Sequence, residues 1–424
     1  MKKIGILIAT SLLLVGCEVS GTGGYGDSDS TNVLGTESIT EKTGPSSTGV
    51  IKTNSGTTTV SKMDGTSSSG GGASTSGTQT SPTTTIPAGQ ITAGEWNDLV
   101  NWGFWNTLNL KSEFSTHATY WWYNLRNRVS VHVTQQGTPQ VDAQVELLGS
   151  DGRVLWTART DNQGNAHLWP SVVSDGQSST SGLRARVGSQ VFEDIKVNSQ
   201  GGTNDLAISS GSGSPDAIDV AFVVDATGSM GDELDYLKEE LKDVIASVRS
   251  QNANTAINTG SVYYRDQSDL FVTRVSGFTT NIDQTVRFVS EQSAGGGGDY
   301  PEAVHTALDV SLNSLNWSNS AKARIMFIVL DAPPHYDTTI VNKIHELVRA
   351  ASAKGVRIIP VACSGVNKQT EFLLRYMAIA TGGTYVFVTD DSGIGGSHLV
   401  ASVGDYKVEF LNSLMVRLIN ERIK

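Results

Sequence analysis

Cysteine is nearly missing from this chain, with two residues in 424, Cys17 and Cys363. Basic clusters are missing too: 31 Lys and Arg stand against 42 Asp and Glu, and the formal net charge is −11. Nucleic-acid binding needs clustered positive charge against phosphate, so that class of partner is excluded. The long apolar run near the start, Ile4 to Val15, is shorter than the ~20 residues of a membrane-spanning helix. Hydrolase signatures are lacking as well. "DATGSMG" has no Gly-x-Ser-x-Gly elbow, and "HELVR", His345 to Arg349, lacks the second histidine of a zincin helix. A chain of this length exceeds one ordinary core, so two or three folded units with linkers are expected.

What is present begins with Lys2 and Lys3, the apolar run, and "LVGC" at Leu14 to Cys17. A basic start, a short apolar stretch and a small residue before the cut describe a secretory signal at 1–16. Its ending resembles a bacterial lipobox. That resemblance implies cleavage before Cys17, lipid on its thiol, and anchoring at the bacterial cell envelope, at the outer membrane or cell surface. Cys363 then has no intrachain partner. It lies in "VRIIPVACSG" and reads as a buried apolar side chain, not a nucleophile.

Residues 17–90 are Ser, Thr and Gly with few large apolar side chains, which is the composition of a flexible tether. Residues 91–126 hold five of the eight tryptophans, including Trp96, Trp102, Trp105, Trp121 and Trp122. They could stack on sugar rings, but a strand pattern follows that needs a partner face, so packing on the next domain is favoured. Over 127–200 the period becomes two, as in Val129, Val131 and Val133, with turn signals between short strands. This predicts a small antiparallel β-sandwich. Gly137, Pro139, Ala143, Val145, Leu147, Gly152, Thr160, Asp161, Gly164, Ala166 and Leu168 resemble the pattern of transthyretin-like, carboxypeptidase-regulatory-like domains. "DNQGN" at Asp161 to Asn165 lacks the carboxylates of a calcium loop and reads as a hairpin turn. Residues 201–215 read as a linker.

From 216 to 424 apolar strands alternate with amphipathic helices, which predicts a doubly wound, Rossmann-like α/β domain with a mostly parallel sheet. In such a sheet ligands bind beyond the carboxyl ends of the strands. "IDVAFVVD" ends in Asp225, with Thr227 and Ser229 two and four residues on; "FIVLDAPPH" delivers Asp331. If the two strands are neighbours, both carboxylates and both hydroxyls reach one crevice. An all-oxygen set suits a hard cation such as Mg²⁺, with water completing the shell.

Asp225-x-Thr227-x-Ser229 with the distal Asp331 resembles the metal-ion-dependent adhesion site of the von Willebrand factor type A domain. That family also supplies a threonine from a middle loop. Here the stretch is "SAGGGGDYPEA", with Asp299 where a hydroxyl would stand, and it resembles a subgroup reading Gly-Gly-Gly-Asp-x-Pro-Glu and Asp-Ala-Pro-Pro-His. Two readings of Asp299 stay open. It is a third carboxylate on the ion, or it caps the following helix with Glu302 closing a capping box. With the lipobox, this resemblance implies a lipid-anchored envelope protein, and the lack of a catalytic constellation argues against an enzyme. The chain would bind a protein or glycan ligand through Mg²⁺, or Ca²⁺ or Mn²⁺ in its place. The alternatives are a metal-dependent hydrolase with His335 as its base, and a non-adhesive part of a surface assembly. His305 reads as a structural or surface histidine.

Overall fold

The structure is a computed structural model, and it describes residues 50–52, 86–173, 179–198, 201–211 and 213–424. Cys17 and most of the expected tether lie outside the described residues. Among the described residues, no helix is long and apolar enough to cross a membrane.

The chain opens with β1 (Val50–Lys52), β2 (Thr92–Trp96), α1 (Trp102–Leu108) and α2 (Ser112–Tyr120). Eight short strands follow: β3 (Val129–Gln135), β4 (Thr138–Pro139), β5 (Gln144–Leu148), β6 (Val154–Arg159), β7 (Asn165–Leu168), β8 (Arg184–Val187), β9 (Gln190–Phe192) and β10 (Asn204–Ile208). They make two four-stranded sheets. One is ordered β10-β3-β4 with β7 also on β3, the other β6-β5-β8-β9. The apolar residues at alternate positions, Val129, Val131 and Val133, are all buried. The Asp161–Asn165 turn closes with Gly164 N–H on the Asp161 carbonyl at 3.0 Å. It carries the chain from one sheet to the other, so it is a corner where a hairpin was expected.

The rest alternates as predicted: β11 (Ile218–Asp225), α3 (Leu234–Gln251), β12 (Ile257–Tyr264), β13 (Thr273–Thr279), α4 (Ile282–Ser290), α5 (Val304–Asn313), β14 (Ala323–Leu330), α6 (Thr338–Lys354), β15 (Val356–Ala362), α7 (Lys368–Thr381), β16 (Tyr385–Val388), β17 (Tyr406–Phe410) and α8 (Leu411–Ile423). The large sheet is ordered β1-β17-β2-β16-β15-β14-β11-β12-β13. β16, β15, β14, β11 and β12 are mutually parallel; the edges are antiparallel. All eight residues of β11 are buried, as a strand covered on both faces requires.

Four expectations need correction. β1 lies within the stretch expected as tether, and it pairs with β17. The expected linker contains β10, which pairs in parallel with β3; Leu206 and Ile208 alternate with polar residues and are buried, a short period-two signal among Ser and Gly. The alternation expected over 216–424 closes on an antiparallel strand near the sheet edge, β17, before the last helix begins at Leu411. The Trp-rich segment packs on more than the small sheets. Its β2 inserts into the large sheet between β16 and β17. Gly94 is needed there, because a Cβ would lie 2.6 Å from the Phe387 ring.

Trp96, Trp102, Trp105 and Trp121 are all buried, so they form no exposed platform. Trp102 packs on Trp169 and Trp105 stacks on Phe372 of α7. Asp98 takes a two-pronged ion pair from Arg375, at 2.9 and 2.6 Å, and Arg375 is fully buried. Such a fork both pairs the charge and fixes the segment's register on α7. One continuous apolar cluster runs from this segment through the small sheets to one face of the large sheet.

Candidate metal centre

The chain direction along the sheet reverses between β11 and β14, which are adjacent and parallel with Val224 beside Val329. Asp225 therefore ends one strand and Asp331 follows the end of its neighbour, at the crevice where open α/β sheets bind ligands. After Asp225 the backbone makes a 3-10 turn over Gly228–Asp232 and enters α3. The turn is held by its own side chains. Asp225 Oδ1 accepts from the Thr227 N–H at 2.9 Å and from its hydroxyl at 2.8 Å, and Thr227 Oγ1 lies 3.0 Å from Ser229 Oγ.

The other carboxylate oxygens are idle. Among the described residues, Asp225 Oδ2 and Asp331 Oδ1 are buried and have no hydrogen-bond partner; the buried Tyr264 hydroxyl, also unpartnered, favours the Asp225 anion. A buried carboxylate oxygen without a donor is costly. Burial, and then the Asp331 carboxylate, pushes Asp225 up to about 7. Burial raises Asp331 to about 6, with the Ser229 hydroxyl offsetting part of the push. The two acids and two hydroxyls that were predicted to meet are thus brought together, and two free anionic oxygens among hydroxyls fit a hard divalent cation.

The glycine loop closes over this turn. Gly228 N–H donates to the Gly296 carbonyl at 3.2 Å, and Gly297 N–H to Asp269 Oδ2 at 2.8 Å. Gly296 has φ of 79°, and a Cβ there would lie 2.2 Å from the Asp269 carboxylate, so only glycine fits. Arg265 is beside the loop, but its guanidinium donates to the Ala226 and Ser293 carbonyls.

Asp299 is exposed. The helix-cap reading of it is not met. α5 begins at Val304, and its N-terminus carries no side-chain cap, so Asp299 and Glu302 form no capping box. Nor does Asp299 join Asp225 and Asp331 in one tight set. One ligand atom each of Asp299, Asp266 and His335 lie within 4.8 Å of one another, with His335 Nε2 2.7 Å from Asp266 Oδ1. The turned glycine loop carries Asp299 to this adjoining group.

Glu302 was overlooked as a site residue. It is 2 % exposed, and its Oε2 has no partner among the described residues. Burial first, then Asp225, Asp266, Asp331 and Asp269, pushes it up to about 9. Its backbone N–H donates to the Pro333 carbonyl at 2.8 Å, which ties the loop after β14 to the start of α5. The glutamate of the Gly-Gly-Gly-Asp-x-Pro-Glu string was the available signal. The remaining candidates are structural. Cys363 is buried, and burial drives its thiol well above its ordinary range. His345 joins Tyr376 Oη at 2.6 Å and the Trp121 carbonyl at 2.9 Å.

Residues 219–390 match, and form, a von Willebrand factor A domain. Two curated relatives share part of the chain. A "Putative ariadne-like RING finger protein R811" of Acanthamoeba polyphaga mimivirus is 39% identical over 123 residues, which is 28% of this chain and 11% of that protein. The "Alpha-protein kinase vwkA" of Dictyostelium discoideum is 32% identical over 122 residues, 28% of this chain and 19% of that protein. The chain thus spans under a fifth of either relative. Among solved structures, the conserved hypothetical protein BatB from Bacteroides thetaiotaomicron aligns with TM-score 0.34 and 13% identity, over 48% of this chain and 98% of that one.

Proposed function

We propose that the chain is a bacterial envelope protein, held by lipid on Cys17, whose A domain binds a protein or glycan ligand through a divalent cation. The match of residues 219–390 to the von Willebrand factor A domain suggests an interaction module and supports this reading. The observation that carries the metal reading is the pair of buried, unpartnered oxygens, Asp225 Oδ2 and Asp331 Oδ1, flanked by the Thr227 and Ser229 hydroxyls. Mg²⁺ would neutralise the crowded carboxylates and keep a coordination position for an acidic or hydroxylated ligand group. The two small sheets would serve as a spacer or a second contact surface.

The test is a pull-down from cell-envelope extract with Mg²⁺, with EDTA, and with Asp225→Ala. Capture that needs the ion and Asp225 supports the reading; equal capture in all three defeats it. A second reading has one observation in its favour. The His335–Asp266 pair, 2.7 Å apart, orients an imidazole as a hydrolase base would be. Metal-dependent turnover of generic esters or phosphates, lost in His335→Ala, would establish that reading instead.

A further inference from the structure

A second region of buried charge lies at the opposite end of the large sheet, some six residues or about 20 Å down β15 from the metal turn. Arg357, the second residue of β15, and Arg128, just before β3, are 7 % and 5 % exposed. With Arg422 of α8 they line a cavity of about 350 Å³ where the Trp-rich segment, the small sheets and the A domain meet.

Among the described residues, neither Arg128 nor Arg357 has a carboxylate partner. Arg128 donates to the Leu99 carbonyl at 2.6 Å and lies 4.5 Å over the Trp102 ring, but its Nε–H is buried without an acceptor. Arg357 makes two long contacts to backbone carbonyls, 3.3 Å to Gly355 and 3.4 Å to Arg159. Asp161 is the acid in the cavity wall. It pairs with Arg422 at 3.4 Å, and its other oxygen accepts the Gln163 and Asn165 N–H groups. Burial lowers Arg128 and Arg357 to about 10 each, so both stay charged at neutral pH. Three guanidiniums thus face one carboxylate in a chain whose net charge is −11. Asp161 and Asp142 act on Arg357 without touching it, and two buried guanidiniums with no carboxylate in contact are unfavourable, so the excess positive charge beside this cavity favours an anion.

We propose that this cavity binds a small hydroxylated molecule carrying a phosphate group. The guanidiniums would hold the phosphate, and Ser130, Asn165 and Thr203 in the wall would meet hydroxyls. The cavity volume suits a sugar-sized ligand rather than a lone ion.

The experiment is thermal melting of the purified protein with inorganic phosphate and with glucose 6-phosphate, at constant ionic strength against chloride. The wild type is expected to gain several degrees, saturably, with glucose 6-phosphate effective at lower concentration. Arg357→Met and Arg422→Gln should lose the response, while Asp225→Ala keeps it. Should Arg357→Met fail to fold, Thr203→Asp replaces it: a carboxylate placed in the wall should raise the melting temperature without phosphate and abolish the response. Indifference of the wild type to both probes, or a response that survives the arginine variants, overturns the proposal. A response to inorganic phosphate with no preference for the sugar phosphate overturns the hydroxylated-ligand part.

Discussion

At the carboxyl ends of the large sheet, Asp225, Asp331 and Glu302 bury carboxylate oxygens that no hydrogen bond among the described residues satisfies. At its amino ends, Arg128 and Arg357 bury guanidiniums that no carboxylate meets among the described residues. Between them, on α7, Arg375 is just as buried but fully engaged, by Asp98, Glu371 and the Ser402 carbonyl. The middle shows what this fold does with a structural charge: it pairs it. The two ends do not follow that habit, and unpaired burial is costly enough that a bound counter-charge is the economical explanation.

The sharpest way to break the comparison is at the paired position. Asp98→Ala should remove the two-pronged partner of Arg375, leaving Glu371 at 3.4 Å, and cost about 3 kcal/mol in denaturant unfolding. A loss under about 1 kcal/mol would show that an under-paired buried charge is tolerated here and would remove the force of the contrast. Next comes the carboxylate end. Mg²⁺ at a hundredfold excess over its dissociation constant should stabilise the wild type by about 2.7 kcal/mol, and Asp225→Ala should erase that gain while remaining folded. Melting indifferent to Mg²⁺, Ca²⁺ and EDTA alike would contradict the metal reading.

A smaller effect concerns pH at the arginine end. Burial, then Arg128, lowers His167 from 6.5 to about 3. The unfolded chain therefore takes up the proton first, so the neutral histidine's contribution is intact above the unfolded value and is lost as pH falls toward 3. Stability should drop by on the order of 1 kcal/mol from about pH 7 to 5, and His167→Gln should flatten that slope. The smallest effect belongs to Asp299. Exposed and outside the Asp225 turn, its change to Ala should leave Mg²⁺ stabilisation within about 0.5 kcal/mol of wild type. A full loss would put Asp299 back on the ion.

The alternation of strands and helices after residue 216 was readable because each element buries a continuous face, and such faces leave a period in the residues. Asp225, Thr227, Ser229 and Asp331 were readable for a related reason: three stand at or within four residues of a strand end, and the last follows an apolar run of the same kind. β2 and β10 were not. Each is five residues long with one or two large apolar side chains, and each is made a strand by the edge it meets.

By itself, then, the sequence determined which residues would stand at the strand tips and that they would offer oxygen, because local periodicity and side-chain chemistry are properties of short stretches. Only the tertiary structure decided that Glu302 turns inward, that Asp299 joins Asp266 and His335, and that Arg128, Arg357 and Arg422 share a cavity. Those positions are far apart along the chain. What brings them together is the pairing of strands and the burial of a common core, which no short stretch encodes.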